Sequence, residues 1–263
     1  MMMSVWAMSA MMLAGVAAAE VVTWPAPEGE PLSADFSVWA EGKPVAVYTA
    51  RTLDAPFADK QWDFGGPYSF ANFDMTGPVT VRIVSKNRSL RNLVIRPVSR
   101  GLTPKILDDH SLTLVLDQPC KISIEPDGKN GPLLLFANPL DTDAPAADTP
   151  GLLSFGPGIH EPGTIRLGSN QTLHLAGGAV VKAEILAEGD SIRICGRGIL
   201  DGSAWAWRSG PVGNLIAVRN SRHVEISGIT LRGASHWSIV PRDCRDVTIR
   251  NVKLCNSRVQ NDD

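Results

Sequence analysis

This chain of 263 residues lacks most of the marks of a helical, metal-binding or nucleic-acid-binding protein. Its four cysteines, Cys120, Cys195, Cys244 and Cys255, form no C-x-x-C pair, which removes the common zinc frameworks, and no metal is expected. No apolar pattern of helical period and useful length occurs, which argues against long helices. Its 25 basic residues stand against 27 acidic ones, for a net charge of −2, and no basic stripe is interleaved with aromatics. A nucleic-acid partner therefore has no electrostatic support. Wholesale disorder is excluded by 44% hydrophobic against 20% charged residues.

Charge is also absent from the first 19 residues. Val5 to Val16 is apolar, and Ala17-Ala18-Ala19 gives a small-x-small pattern before Glu20. Residues 1–19 read as a signal peptide cleaved near Ala19, and the protein as secreted or periplasmic. No basic residue precedes the apolar run, and Met1-Met2-Met3 is compatible with a true start elsewhere. An uncleaved anchor is the other reading of this segment. No later run is long enough to cross a bilayer, so no membrane association is expected after cleavage. A monomer without cofactor is expected.

What is present is punctuation: 24 glycines and 19 prolines separate short alternating apolar segments. Val45 to Tyr48, Val79 to Val84, Leu93 to Arg96, Leu112 to Leu116 and Lys121 to Ile124 suit half-buried strands. Many short strands with frequent turns predict an antiparallel β-sandwich-like domain over residues 20–150. Asn138 to Pro150, rich in Pro, Asp and Ala, is the boundary. From Thr172 the chain repeats itself. Val224, Ile226, Ile229 and Leu231 return 23 residues later as Val247, Ile249, Val252 and Leu254. Earlier, Leu173, Leu175, Gly177 and Val180 match Ile192, Ile194, Gly196 and Ile199 at an offset of 19. Each unit has two alternating apolar positions, a small or polar corner such as Ser227-Gly228 or Arg250-Asn251, then two more. Coils of this kind bury their apolar faces only by stacking, at strand spacing of about 4.8 Å. The fold class predicted is all-β, with the sandwich followed over residues 151–263 by the first coils of a right-handed parallel β-helix. A leucine-rich repeat, of similar period, lacks support because its leucine–asparagine signature is missing. Cys244 and Cys255 fall on neighbouring coils and could bridge in an oxidising compartment; burial as separate small hydrophobes is the alternative.

Three stretches in the repeat region resemble glycoside hydrolase family 28, the polygalacturonases and their relatives. Ile194 to Gly202, followed by Trp205 and Trp207, is similar to the family's strand-and-turn segment leading into an aromatic loop. Ala234 to Ile239 resembles its Ser-Pro-x-Trp segment. Asn261-Asp262-Asp263 stands where these enzymes carry Asn-Thr-Asp-Gly, with Asp262 in place of the usual Thr. The N-terminal region, with Ile122 to Asn138, is similar to the leading β-sandwich of the dextranase and isopullulanase family, glycoside hydrolase family 49.

The resemblance implies inverting glycoside hydrolysis of a polysaccharide, pectic by the first likeness and α-glucan by the second. Inversion needs one carboxyl group to protonate the leaving oxygen and another to activate water, about 6.5–9.5 Å apart. Asp263 matches the catalytic aspartate of the first motif, and adjacent Asp262 would raise its neighbour's pKa. Asn261, His236, Trp205 and Trp207 are the candidate substrate-binding residues, the tryptophans by stacking on sugar rings. Anchoring of these tryptophans in the core, packing at His236-Trp237 and a polar turn at 261–263 are the plainer alternatives. The family's general acid belongs to a motif expected after position 263, so an inactive fragment of a longer hydrolase is the expectation. A polysaccharide lyase would need calcium-binding carboxylates, and no Asp-rich coil of that kind is visible. A non-catalytic β-helical adhesin or glycan-binding module is a further reading. Asp108-Asp109-His110 reads as a solvated turn. The sequons at Asn87 and Asn170 matter only in a glycosylating host.

Overall fold

The computed structural model describes residues 19–50 and 66–256. Two packed sheets come first. One runs in the order Glu20–Val22, Tyr68–Thr76, Leu133–Pro139, Cys120–Lys129 and Val94–Arg96, with Val47–Ala50 also paired to Tyr68–Thr76. The other runs Lys43–Val45, Phe36–Ala40, Val79–Ser85, Ser111–Leu116 and Lys105–Ile106. Alternation builds the core between them. Val79, Val81 and Ile83 are inaccessible while Thr80 and Arg82 face solvent, as the two-residue period of a strand requires.

Two sequence expectations are corrected here. The sandwich is not purely antiparallel, because Leu133–Pro139 runs parallel to Tyr68–Thr76. The chain between them passes through the second sheet before returning, and that crossover permits parallel pairing. The predicted strand from Val45 to Tyr48 is broken at Ala46: Lys43–Val45 belongs to one sheet and Val47–Ala50 to the other. Such a strand switches sheets at a corner, and apolar alternation continues through the switch.

From Leu152 the strands stack as three ladders of parallel pairs, giving the right-handed parallel β-helix expected. The first face aligns Leu153, Leu173, Ile194, Ile226 and Ile249. The second aligns Ile159, Val180, Ile199, Thr230 and Lys253. The third aligns Ile165, Ile185, Ile216 and Ile239. The offset of 23 between the last two coils is the true register. The offset of 19 holds only for Val180 against Ile199. Leu173 pairs with Ile194, an offset of 21, because the corner after Leu175 is two residues longer than the corner after Gly196. A two-residue slip keeps the same side chains inward, so the pattern alone does not distinguish the registers.

Polar corner residues have a backbone reason. Asn170, Ser191, His223 and Asp246 occupy equivalent positions before the first face, all with φ between 52° and 62°. Short polar side chains tolerate this left-handed conformation better than bulky ones. At the next corner Gly228 has φ 80°, and a Cβ there would collide with the Gly196 carbonyl of the coil below.

The sandwich packs on the second face. Tyr48, Phe70 and Phe136 bury against Val180, Ile199 and Cys255, and the Tyr48 and Phe70 rings stack at 5.3 Å. Full burial of such side chains contributes about 1.5–3 kcal/mol each. This second contact explains why Tyr68–Thr76 is buried on both sides. Charges are paired across the seam. Arg197 Nε donates to both Asp74 oxygens at 2.7 and 2.9 Å, and Arg232 bridges Glu30 and Asp201.

Cys244 and Cys255 do not bridge; all four thiols are free. Cys255 points outward from the second face into the sandwich seam, whereas Cys244 lies at the far corner, 3.1 Å from the Arg242 carbonyl. Coils adjacent in sequence still present these residues on different sides of the solenoid. Burial as separate hydrophobes fits Cys120, Cys195 and Cys255.

Candidate active site

One corner of the solenoid collects the long loops. Between the second and third faces the Ala179–Gly196 strand passes without interruption. The next coil instead inserts residues 202–215 between Ile199–Asp201 and Ile216–Ser227. The coil after that inserts residues 233–238 between Thr230–Arg232 and Ile239–Arg242. Because Asp201 is in register with Arg232 and Ile216 with Ile239, both loops leave the same side of neighbouring coils. The structure thus brings together Trp205 and Trp207 from one loop and His236 and Trp237 from the other.

The loops are joined by backbone hydrogen bonds. Arg208 N–H donates to Ser235 O at 2.9 Å, and Leu215 N–H to Trp237 O at 3.0 Å. Beneath them lies Glu184, fully buried although it points out of the coil. Its carboxylate accepts hydrogen bonds from Val212 N–H at 2.6 Å, Gly213 N–H at 2.9 Å and Ser235 Oγ–H at 3.0 Å. Gly210 passes so close that a Cβ would strike this carboxylate. A buried side chain that accepts from three donors on two loops is a brace for both. Strand alternation marks Glu184 as an outward side chain. Nothing local reveals that an insertion some thirty residues later covers it.

Asp201 is similarly engaged. Its Oδ1 accepts from Ser203 N–H and Oγ–H at 3.0 and 2.6 Å, and its Oδ2 from Arg232 at 2.7 Å. Burial alone would raise the Asp201 carboxyl, but Arg232 and Ser203 outweigh it and hold it below the usual carboxylate range. A carboxylate so stabilised is poorly suited to donating a proton to a leaving group. Glu184 and Asp201 therefore shape the corner.

The accessible groups are largely aromatic. His236 and Trp237 stack with ring centroids 4.3 Å apart, and Trp237 is 38% exposed. The Arg208 guanidinium lies 4.5 Å from the Trp207 ring. Trp205 and Trp207 are each half-buried, between the stacking and the anchoring roles weighed for them. Asn214 Oδ1, in the first loop, is buried without a hydrogen-bond partner. Asn256 closes the floor: its Oδ1 accepts from Ala234 N–H at 3.0 Å, and its Nδ2 donates to Ser238 Oγ. Arg208, Asn214 and Asn256 were not legible as site residues, since no motif marks them. Asn261, Asp262 and Asp263 lie outside the described residues, as do residues 1–18. The described chain reaches its last residue, Asn256, at this corner.

Asp108-Asp109-His110 is remote from this corner. Asp108 accepts from His110 N–H at 2.8 Å and Ser111 Oγ–H at 2.7 Å, bonds that hold its carboxyl low, and Asp109 pairs with Arg91. It forms a solvated turn. Among the described residues no group of three His, Cys, Asp or Glu side chains is placed to hold a metal. No described helix is long and apolar enough to cross a membrane.

Comparison with solved structures identifies the fold. Dex49A from Penicillium minioluteum superposes with a TM-score of 0.70 at 18% identity, covering 89% of this chain and 62% of that structure. This chain therefore spans less than two thirds of the length of the structure it matches. A family 28 exopolygalacturonase from Yersinia enterocolitica matches with a TM-score of 0.36 at 13% identity, over 90% of this chain and 57% of that one. Both are glycoside hydrolases. No protein-family model matches the chain, and no curated protein matches it by sequence.

Proposed function

We propose that this chain forms the leading part of an inverting glycoside hydrolase acting on a polysaccharide, with its substrate cleft at the corner of Trp205, Trp207, His236 and Trp237. The observation that carries the reading is the convergence of both loops on one corner, next to Asn256, five residues before Asn261-Asp262-Asp263. Asp263 and Asp262 are proposed as the water-activating carboxylates, and Asn261 as a substrate contact. Because Glu184 and Asp201 are committed to bracing, the general acid must be another carboxyl group. Because the family 28 resemblance assigns the general acid to a motif other than Asn261-Asp262-Asp263, the expectation for the 263-residue polypeptide is glycan binding without turnover.

Two substrate classes follow from the two resemblances. Pectic polygalacturonate or rhamnogalacturonan follows from the coil motifs, and an α-glucan from the leading sandwich. The fold shared with Dex49A includes sandwich and solenoid together, which supports keeping the α-glucan beside the pectic reading. Affinity electrophoresis in gels containing polygalacturonate, rhamnogalacturonan or dextran tests the proposal. Retardation by one of them is expected, weakened in Trp205→Ala and Trp207→Ala, without release of reducing ends. Unretarded migration in all three gels would refute glycan recognition. Release of reducing ends would refute inactivity alone.

The engagement of every described carboxylate at this corner favours one second reading, a glycan-binding module without catalysis. Asp262→Asn and Asp263→Asn distinguish them in a chain that does hydrolyse: the catalytic reading requires turnover to fall while binding is kept.

A further inference from the structure

Apart from the tryptophan loops, the sandwich carries a cleft of about 530 Å³. It opens where the Lys43–Val45 strand stops. That strand pairs with Val38 to Ala40 of its neighbour and leaves Phe36 and Ser37 at an uncovered edge. The chain then crosses to the other sheet at Ala46, and among the described residues no strand closes the gap.

Two tryptophans stand in its walls. Trp39 projects from the outer side of the Phe36–Ala40 strand, half-buried, and its cross-strand neighbour Arg82 holds a guanidinium 5.5 Å from the ring. Trp24 packs its indole on Gly177 of the solenoid, where any Cβ would collide with the ring. Both rings are therefore held in place before any ligand arrives. Pro44 and Leu32, the latter 52% exposed, extend the apolar wall. Ser37 and the exposed Lys86 supply a hydroxyl and a cation, while the Ser33 hydroxyl is taken up by Ser69 and the backbone N–H groups of Asp35 and Phe36.

Fixed aromatic walls beside a few polar groups match the amphipathic surface of a sugar, whose C–H face stacks while its hydroxyls hydrogen-bond. A purely apolar ligand would leave Lys86 and Ser37 facing hydrocarbon. A nucleotide would require more than one cation for its phosphates.

We propose that this cleft is an accessory glycan-binding subsite, taking pyranose rings against Trp39 and Trp24 with a hydroxyl or carboxylate on Lys86. It rests on the glycan-directed reading of the chain and deepens it with a second contact on the same polysaccharide. Two weak contacts on one polymer raise its retention through effective concentration, without a stronger single site.

The test is titration calorimetry of the whole chain with isomaltose-series oligosaccharides and with oligogalacturonides. Five proteins are compared: wild type, Trp39→Ala, Lys86→Ala, the Trp205→Ala/Trp207→Ala pair, and that pair combined with Trp39→Ala. Trp39→Ala should weaken the binding that survives in the paired variant by about tenfold, a loss typical of one stacking anchor. Lys86→Ala should weaken acidic oligosaccharides and spare neutral ones. Leu32→Arg, at an exposed wall position, fills the cleft without touching the core and serves if Trp39→Ala unfolds. Equal affinity of wild type, Trp39→Ala and Leu32→Arg would overturn the subsite and leave the glycan reading intact. Failure of wild type to bind any of the oligosaccharides would overturn both.

Discussion

Arg197→Met takes the cation out of an ion pair buried between sandwich and solenoid. The side chains of Arg197 and Asp74 are 8% and 2% exposed, so water does not solvate the survivor. Burial pushes the Asp74 carboxyl above its usual range, and Arg197 is the strongest influence pulling it back. Removing one partner of a buried pair costs about 3–5 kcal/mol, mostly the penalty of stranding the other charge. Arg197 also donates to the Pro139 carbonyl at 2.9 Å, a further loss of about 1 kcal/mol. Methionine keeps most of the aliphatic stem, so little packing is lost with the charge. Asp74→Asn should cost less, because Asp141 Oδ2 lies 3.7 Å from the guanidinium and partly replaces the lost carboxylate. In the double variant neither charge is stranded, and coupling of at least about 2 kcal/mol is expected. Urea unfolding at pH 7, followed by tryptophan fluorescence, measures all four corners of this cycle. A loss below about 1 kcal/mol for Arg197→Met, or strict additivity, would refute the placement of this pair in a water-excluded seam.

Lys253 is 2% exposed, and burial first, then Arg197 and Lys121, lower its pKa to about 7. Between pH about 7 and 10.5 the unfolded chain holds this proton and the folded chain does not, so stability rises with pH across that window. Melting temperatures should climb accordingly, and Lys253→Met should flatten the climb; an unchanged slope counts against the assignment. Glu184→Gln keeps the shape of the loop brace but replaces one acceptor oxygen by an NH2 group that cannot accept, costing about 2 kcal/mol locally. Faster proteolysis within residues 202–214 should report it, and wild-type resistance would mean that the loops hold without the carboxylate. Gly228→Ala should destabilise by at least about 1–2 kcal/mol through its left-handed backbone and the collision with the Gly196 carbonyl. A melting temperature equal to wild type would contradict that register. With a thiol reagent, Cys244 should react in the native chain, and all four cysteines should react after unfolding without reductant. A pair that reacts only after reduction would establish a disulfide.

How far the sequence could be read depended on whether a feature is local. Val224 and Ile226 against Val247 and Ile249 are spaced by the coil itself, so repetition in the chain became stacking in space. The 19-residue offset misled at Leu173 because inward-facing positions recur every two residues and a corner can lengthen by two unnoticed. The parallel return of Leu133–Pro139 carries no local mark, since pairing with Tyr68–Thr76 is settled by a crossover of more than fifty residues. At the candidate site the tryptophans were visible as aromatics on a glycine- and serine-flanked loop. Their meeting with His236 was not, because it depends on two insertions leaving the same corner.

The sequence by itself determined that coils must stack, because alternating apolar pairs with polar corners cannot bury their faces alone. It also determined that corner residues would be small or polar, since a left-handed backbone disfavours bulky apolar side chains there. Only the tertiary structure decided which polar groups are buried. Glu184, Asp201 and Lys253 read as ordinary outward charges on their strands and Arg197 as one at a corner, and an overlying loop or sheet alone removes them from water. Burial of an outward side chain is a property of what lies above it, and for these residues the cover comes from distant parts of the chain.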